Sequence, residues 1–132
     1  MNSPEIPDGF ETGMAFDDES IPLWARIQEA ERMLYLAMKE AKVRGLKWAQ
    51  LEAHYYSMKA YETLALHEAG HTATNIANII KGQPKTNKAL EQMREAEVLY
   101  DNAKEAINAY KLIARILNDE QQREWEQAKR TT

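Results

Sequence analysis

Residues 86–117 read TNKALEQMREAEVLYDNAKEAINAYKLIARIL, a long run free of glycine and proline. Within it Met93, Ala96, Tyr100, Ala103, Ile107, Tyr110, Ala114 and Leu117 follow one another at steps of three and four. That rhythm puts all eight on one face of a helix, in the repeat that coiled-coil-like seams use. No period of two competes with it, so the stretch predicts helix rather than strand. The helix is expected to span 86–129. Past Leu117 the chain turns polar, and Trp125 is the sole large apolar group between Asn118 and Gln127.

Working backwards, Gln83 and Pro84 predict a turn, because proline cannot simply continue a helix. A second helix is expected over 46–81, ending at Gly82. Its stripe is Leu51, Tyr55, Met58, Ala65, Ala69, Thr72, Ile76 and Ile79, interrupted by Glu62. A first helix is expected over 20–44, with Ser20 as N-cap, Pro22 in the first turn and Gly45 as its stop. Leu23, Ile27, Ala30, Leu34, Ala37 and Ala41 supply its buried face. Residues 1–19 contain Pro4, Pro7, Gly9 and Gly13 and read as an extended acidic leader. Its Ile6, Phe10, Met14 and Phe16 are apolar enough to dock on a helical body.

The fold class is therefore all-α, an elongated helical hairpin or three-helix bundle with coiled-coil-like packing. A chain of 132 residues suits a single domain, here residues 20–132 behind the leader. At 1.5 Å per residue the three helices would be about 36, 54 and 65 Å long. Rods so unequal leave apolar overhangs that a second copy covers most simply, which predicts a homodimer or higher homo-oligomer.

Charge narrows the function classes. Glu5, Asp8, Glu11, Asp17, Asp18 and Glu19 stand in residues 1–20 without a single Lys or Arg, leaving 15 acids and 17 bases for the rest. A body so close to neutral argues against direct nucleic-acid binding, which needs a basic face. The chain has no cysteine, hence no disulfide framework and no thiolate metal site. No stretch reaches the roughly 20 apolar residues of a membrane span, and the acidic N-terminus is unlike a secretory signal, so the expected location is cytoplasmic.

One motif carries chemistry. His67-Glu68-Ala69-Gly70-His71 fits H-E-x-x-H, whose two imidazoles share a face when the segment is helical. His67 and His71 would then be zinc ligands and Glu68 the general base for a metal-bound water. The expected third protein ligand is not evident. His54 lies 13 residues earlier, about 20 Å along the same helix. Glu91, Glu95, Glu97 and Asp101 are carboxylate candidates with nothing to choose among them. Glu68-Ala69-Gly70-His71 also has the E-x-x-H spacing of di-iron carboxylate bundles, which need two such motifs and two further glutamates. The bland reading is a half-exposed polar seam that binds nothing, and with it the expected cofactor list is empty.

Other chemistries lack their residues. There is no glycine-rich phosphate loop, and Ser3, Ser20 and Ser57 have no nucleophile-elbow context. The acids between Glu91 and Glu105 are interspersed with Arg94 and Lys104, as on a solvated face. Trp24, Trp48, Tyr55, Tyr56 and Tyr61 are expected as core and interface anchors. Tyr56 adjoins Tyr55 and must face another direction, which makes Tyr56 and Trp125 the candidate interaction residues.

The string HEAGH, followed by Thr72, resembles the zinc motif of the membrane-tethered AAA+ proteases. The resemblance covers about six residues; it implies zinc on His67 and His71 with Glu68 as base. Nothing in these 132 residues resembles the ATPase module of those proteases. From Tyr55 to Trp125 the chain resembles short helical accessory proteins of bacteriophages of Gram-positive hosts. Tyr56, Lys59-Ala60, Thr63, Asn102-Ala103-Lys104-Glu105-Ala106, Lys111, Arg115-Ile116-Leu117 and Arg123-Glu124-Trp125 carry that likeness. It implies a non-enzymatic protein acting through helix-mediated contacts with a protein partner. The rival expectation is a zinc-dependent metallopeptidase or hydrolase built on HEAGH.

Overall fold

A computed structural model describes residues 16–131. They are all-α, with three helices: α1, Leu23–Glu68; α2, Ala73–Lys81; and α3, Pro84–Arg130. Among the described residues no helix is long and apolar enough to cross a membrane. The described residues divide into two compact units, residues 16–41 with 101–131 and residues 42–100. The expectation that Ile6, Phe10 and Met14 dock on the body lies outside the described residues.

In the first unit the early part of α1 packs on the later part of α3. Ile27, Ala30 and Ala37 from α1 meet Ala106, Tyr110 and Leu117 from α3, and Phe16 closes the cluster. Alternation of alanine with large side chains lets the backbones approach while the large groups fill the gaps between them. Phe16 stands edge-on to Tyr110, with ring centroids 6.3 Å apart. Arg26 is buried and secures the approach to α1, donating from Nε to the Ile21 carbonyl (3.1 Å) and from Nη1 to the Phe16 carbonyl (3.2 Å).

Ser20 is not the N-cap. The Asp18 carboxylate accepts from the Ser20 backbone N–H and hydroxyl, at 2.9 and 2.6 Å. The first intrahelical bond of α1 goes instead to the Pro22 carbonyl, from Arg26 N–H at 3.1 Å. An aspartate two residues away is the nearer partner for serine, so the helix starts later than its cap signal suggests. The hydroxyl and backbone N–H of Ser20 also hold the Asp18 carboxyl below its ordinary range.

In the second unit Ile76 and Ile80 of α2 and Thr86, Ala89 and Ala96 of α3 are buried. Trp48 stacks on Tyr100 at 5.8 Å. The Thr86 hydroxyl donates to the Glu62 carboxylate at 2.6 Å, so the acid that interrupts the expected stripe anchors the start of α3. Pro84 opens α3, a position where its missing N–H costs nothing.

The helix boundaries differ from the expectation at two glycines. α1 continues through Gly45. A Cβ there would lie 3.1 Å from the Tyr100 ring, so this glycine makes room for an aromatic side chain instead of stopping the helix. The stop falls at Gly70, the one described glycine with positive φ, at 90°. His71 N–H bonds to the Leu66 carbonyl (3.2 Å) and Gly70 N–H to the His67 carbonyl (3.0 Å). Those two bonds form a Schellman motif, in which a left-handed residue satisfies the final carbonyls of a helix. Thr72 then caps α2, its hydroxyl accepting from Asn75 N–H at 3.3 Å. The expected 46–81 helix is thus the end of a 46-residue helix, a sharp turn and a separate nine-residue helix.

Candidate functional site

The HEAGH segment straddles that turn. His67 and Glu68 are the last two residues of α1, Ala69 and Gly70 form the turn, and His71 stands just before the α2 cap. The helical geometry that places positions i and i+4 on one face is therefore absent between His67 and His71. Both side chains are exposed, and Glu68 is exposed as well. The two histidines do border one shallow hollow, with Thr63, Thr72, Ala73, Ile76, Ala77 and Ile80 as its other walls. Glu68 is not among them. Apart from the imidazoles and two threonine hydroxyls the lining is apolar, which is a poor match for a divalent cation that needs three anionic or imidazole donors. Among the described residues no group of three His, Asp or Glu side chains is placed to hold a metal ion. His54 is exposed on α1, far from the hollow in sequence and not among its walls.

The interaction candidates lie on helix surfaces. Tyr56 is 56 % exposed, while its neighbour Tyr55 is half-buried. The two rings sit 5.1 Å apart at a tilt, and Lys59 Nζ hangs 6.0 Å from the Tyr55 ring centre. Tyr56, Lys59, Ala60, Thr63, Leu64 and His67 border a second shallow hollow along α1. Their steps of three and four make one outward stripe, on which Leu64 is also exposed. Trp125 is 61 % exposed near the end of α3, with Lys129 Nζ 5.5 Å over its ring. A lysine so placed shields part of the indole from water without removing its edge from contact.

Sequence reading gave no role to Leu64, Leu90, Val98 and Leu99. Each falls off the strongest stripe of its helix, and a second, weaker stripe on the same helical wheel is the signal that would have found it. No family model matches the chain, and neither a curated protein nor a solved structure does.

Proposed function

We propose that this chain is a small non-enzymatic accessory protein, of the phage-encoded helical kind it resembles, that self-associates and acts by docking exposed helix faces on a protein partner. The observation that carries this reading is the outward stripe of α1 from Tyr56 to His67, which sets an exposed tyrosine and an exposed leucine on one face of a long helix. Exposed apolar groups at helical spacing are what helix-in-groove recognition uses, and an exposed tyrosine is a common interface anchor. Trp125 offers a second anchor of the same kind.

Photo-crosslinking tests it. A benzophenone amino acid at position 56 of the full chain should yield one discrete protein adduct in the native host, lost on Leu64→Ala. The same probe in place of Gln50, also exposed on α1, should yield none. Adducts of equal strength at both positions, or none at position 56, would remove this face from consideration.

A second reading rests on the HEAGH string, whose His67 and His71 border one hollow although Glu68 does not: a zinc-dependent hydrolase with Glu68 as base. Elemental analysis of untagged protein decides it. Near-stoichiometric zinc that disappears in His71→Ala would favour the hydrolase; equal, trace zinc in both proteins would end it.

A further inference from the structure

The two shallow hollows that His67 borders form one groove. The hollow along α1 and the hollow between the end of α1 and α2 share Thr63 and His67 as walls, and both lie within residues 42–100. From Tyr56 to His67 the groove follows α1 for about 16 Å at 1.5 Å per residue. Beyond the Gly70 turn its walls include Ile76, Ala77 and Ile80 of α2. Tyr56 and Leu64 supply exposed apolar bulk. Ala60, Ala73 and Ala77 have side chains short enough to let a second helix backbone approach.

Charge sets this groove apart. The chain has 21 Asp and Glu residues, yet none of them lines either hollow. The acids closest in sequence are used elsewhere or stand aside: Glu62 accepts from Thr86, and Glu68 borders neither hollow. Lys59, His67 and His71 do border it, and none of these three side chains has a hydrogen bond or ion pair with a described residue. An ammonium and two imidazoles offer N–H donors, for which a carboxylate is the matching acceptor. The outer face of α3 differs, because Glu91, Arg94 and Glu95 mix both signs around Leu90 and Val98. Only the α1–α2 groove therefore combines exposed apolar groups with one sign of charge.

We infer that this groove takes one acidic amphipathic helix of a partner protein, whose apolar seam lies along the groove and whose flanking carboxylates reach Lys59 and the imidazoles. The inference rests on the partner-docking part of the function proposed above and names the partner's chemistry. Helix-in-groove recognition supplies the apolar contacts, and opposite charge at the border selects among helices that carry a similar seam. A groove of this length belongs to the small, weak class of interfaces, so a Kd in the micromolar range is expected.

The test is fluorescence anisotropy of the full chain with two labelled synthetic peptides, each an amphipathic helix of about four turns. The peptides share one leucine seam and differ only in the flanking residues, all Glu in one and all Lys in the other. The Glu peptide should bind in the micromolar range and the Lys peptide at least about tenfold more weakly. Lys59→Glu should invert that order. Lys88→Glu makes the same charge change at an exposed site of α3 that borders neither hollow, and should leave the order in place. Circular dichroism checks that both variants fold, as expected for exposed positions. Equal binding of the two peptides, binding of neither, or equal effects of the two substitutions would overturn the acidic partner. The photo-adduct at position 56 does not depend on the partner's charge. An adduct without a preference for the Glu peptide would therefore sink this inference and leave docking on this face standing, whereas loss of both would remove the face as well. An adduct of twice the chain's mass would make a second copy the occupant and overturn a separate partner.

Discussion

The two compact units bury different kinds of side chain. The unit of residues 16–41 and 101–131 buries Phe16, Ile27, Tyr110 and Leu117, spaced by alanines at 30, 37, 103 and 106. The unit of residues 42–100 buries two isoleucines of a short helix, two alanines and a threonine, and adds a stacked Trp48–Tyr100 pair. Its Trp48 Nε1–H is buried with no acceptor among the described residues. Large interdigitated side chains concentrate stability, whereas small ones leave more of the work to single contacts such as the Thr86–Glu62 hydrogen bond. The second unit should therefore open more readily than the first, and amide hydrogen exchange should show weaker protection around α2 than along 103–117.

The sharpest way to break this contrast is Tyr110→Ala. Tyr110 is 2 % exposed and touches Phe16. Removing its ring should cost about 3–5 kcal/mol in urea unfolding, the usual range for a buried aromatic. A loss below about 1 kcal/mol would mean that the first unit is not organised around this ring.

Next comes Thr86→Val, which keeps the shape and deletes the hydroxyl. The hydrogen bond it makes has a carboxylate as acceptor, so a loss of about 2 kcal/mol is expected. Hydrogen exchange should rise chiefly at the α2–α3 junction. Uniform loss of protection across both units would show that they do not open separately.

Gly70→Ala should cost about 1 kcal/mol or slightly more, because φ of 90° is strained for any residue with a Cβ. The added methyl meets open space, so strain alone is read. A neutral result in thermal unfolding would count against the Schellman turn, since a helix continuing through position 70 would gain from alanine.

The smallest effect at neutral pH is that of Tyr110→Phe, and it sharpens the comparison at alkaline pH. Burial, and then the Glu29 carboxylate, push the Tyr110 hydroxyl above its ordinary value of 10.0. The folded state thus holds this proton more tightly than the unfolded chain. Its contribution is complete below about pH 10 and is lost as pH rises through the higher folded value. Wild type should therefore lose stability above about pH 10 and the phenylalanine variant less so. Identical alkaline profiles would mean that the hydroxyl is not buried in the folded state.

Much of the first unit was legible because its signal is redundant. Ala103, Ile107, Tyr110, Ala114 and Leu117 are buried or half-buried, as are Leu23, Ile27, Ala30, Leu34, Ala37 and Ala41. Periodicity fails where one residue has two uses. Gly45 and Gly70 look alike as letters, yet one admits the Tyr100 ring and the other adopts a left-handed turn. The HEAGH string suffers the same ambiguity. Its spacing implies a shared helix face only if the helix continues, and Gly70 followed by a capping Thr72 ends it.

The amino-acid sequence by itself determined the all-α class, the inward faces of α3 and of the early part of α1, and the near-neutral charge of the body. Those follow from side-chain period and composition, which act locally and need no partner. In the stripe expected over 46–81, Ala65, Ala69 and Thr72 are exposed, because the helix ends at Gly70. Only the tertiary structure decided which glycine ends a helix, that Glu62 serves Thr86, and that Tyr56 rather than Tyr55 faces water. Each of those depends on what a neighbouring helix offers: room for a ring, a hydroxyl to bind, or a surface to cover.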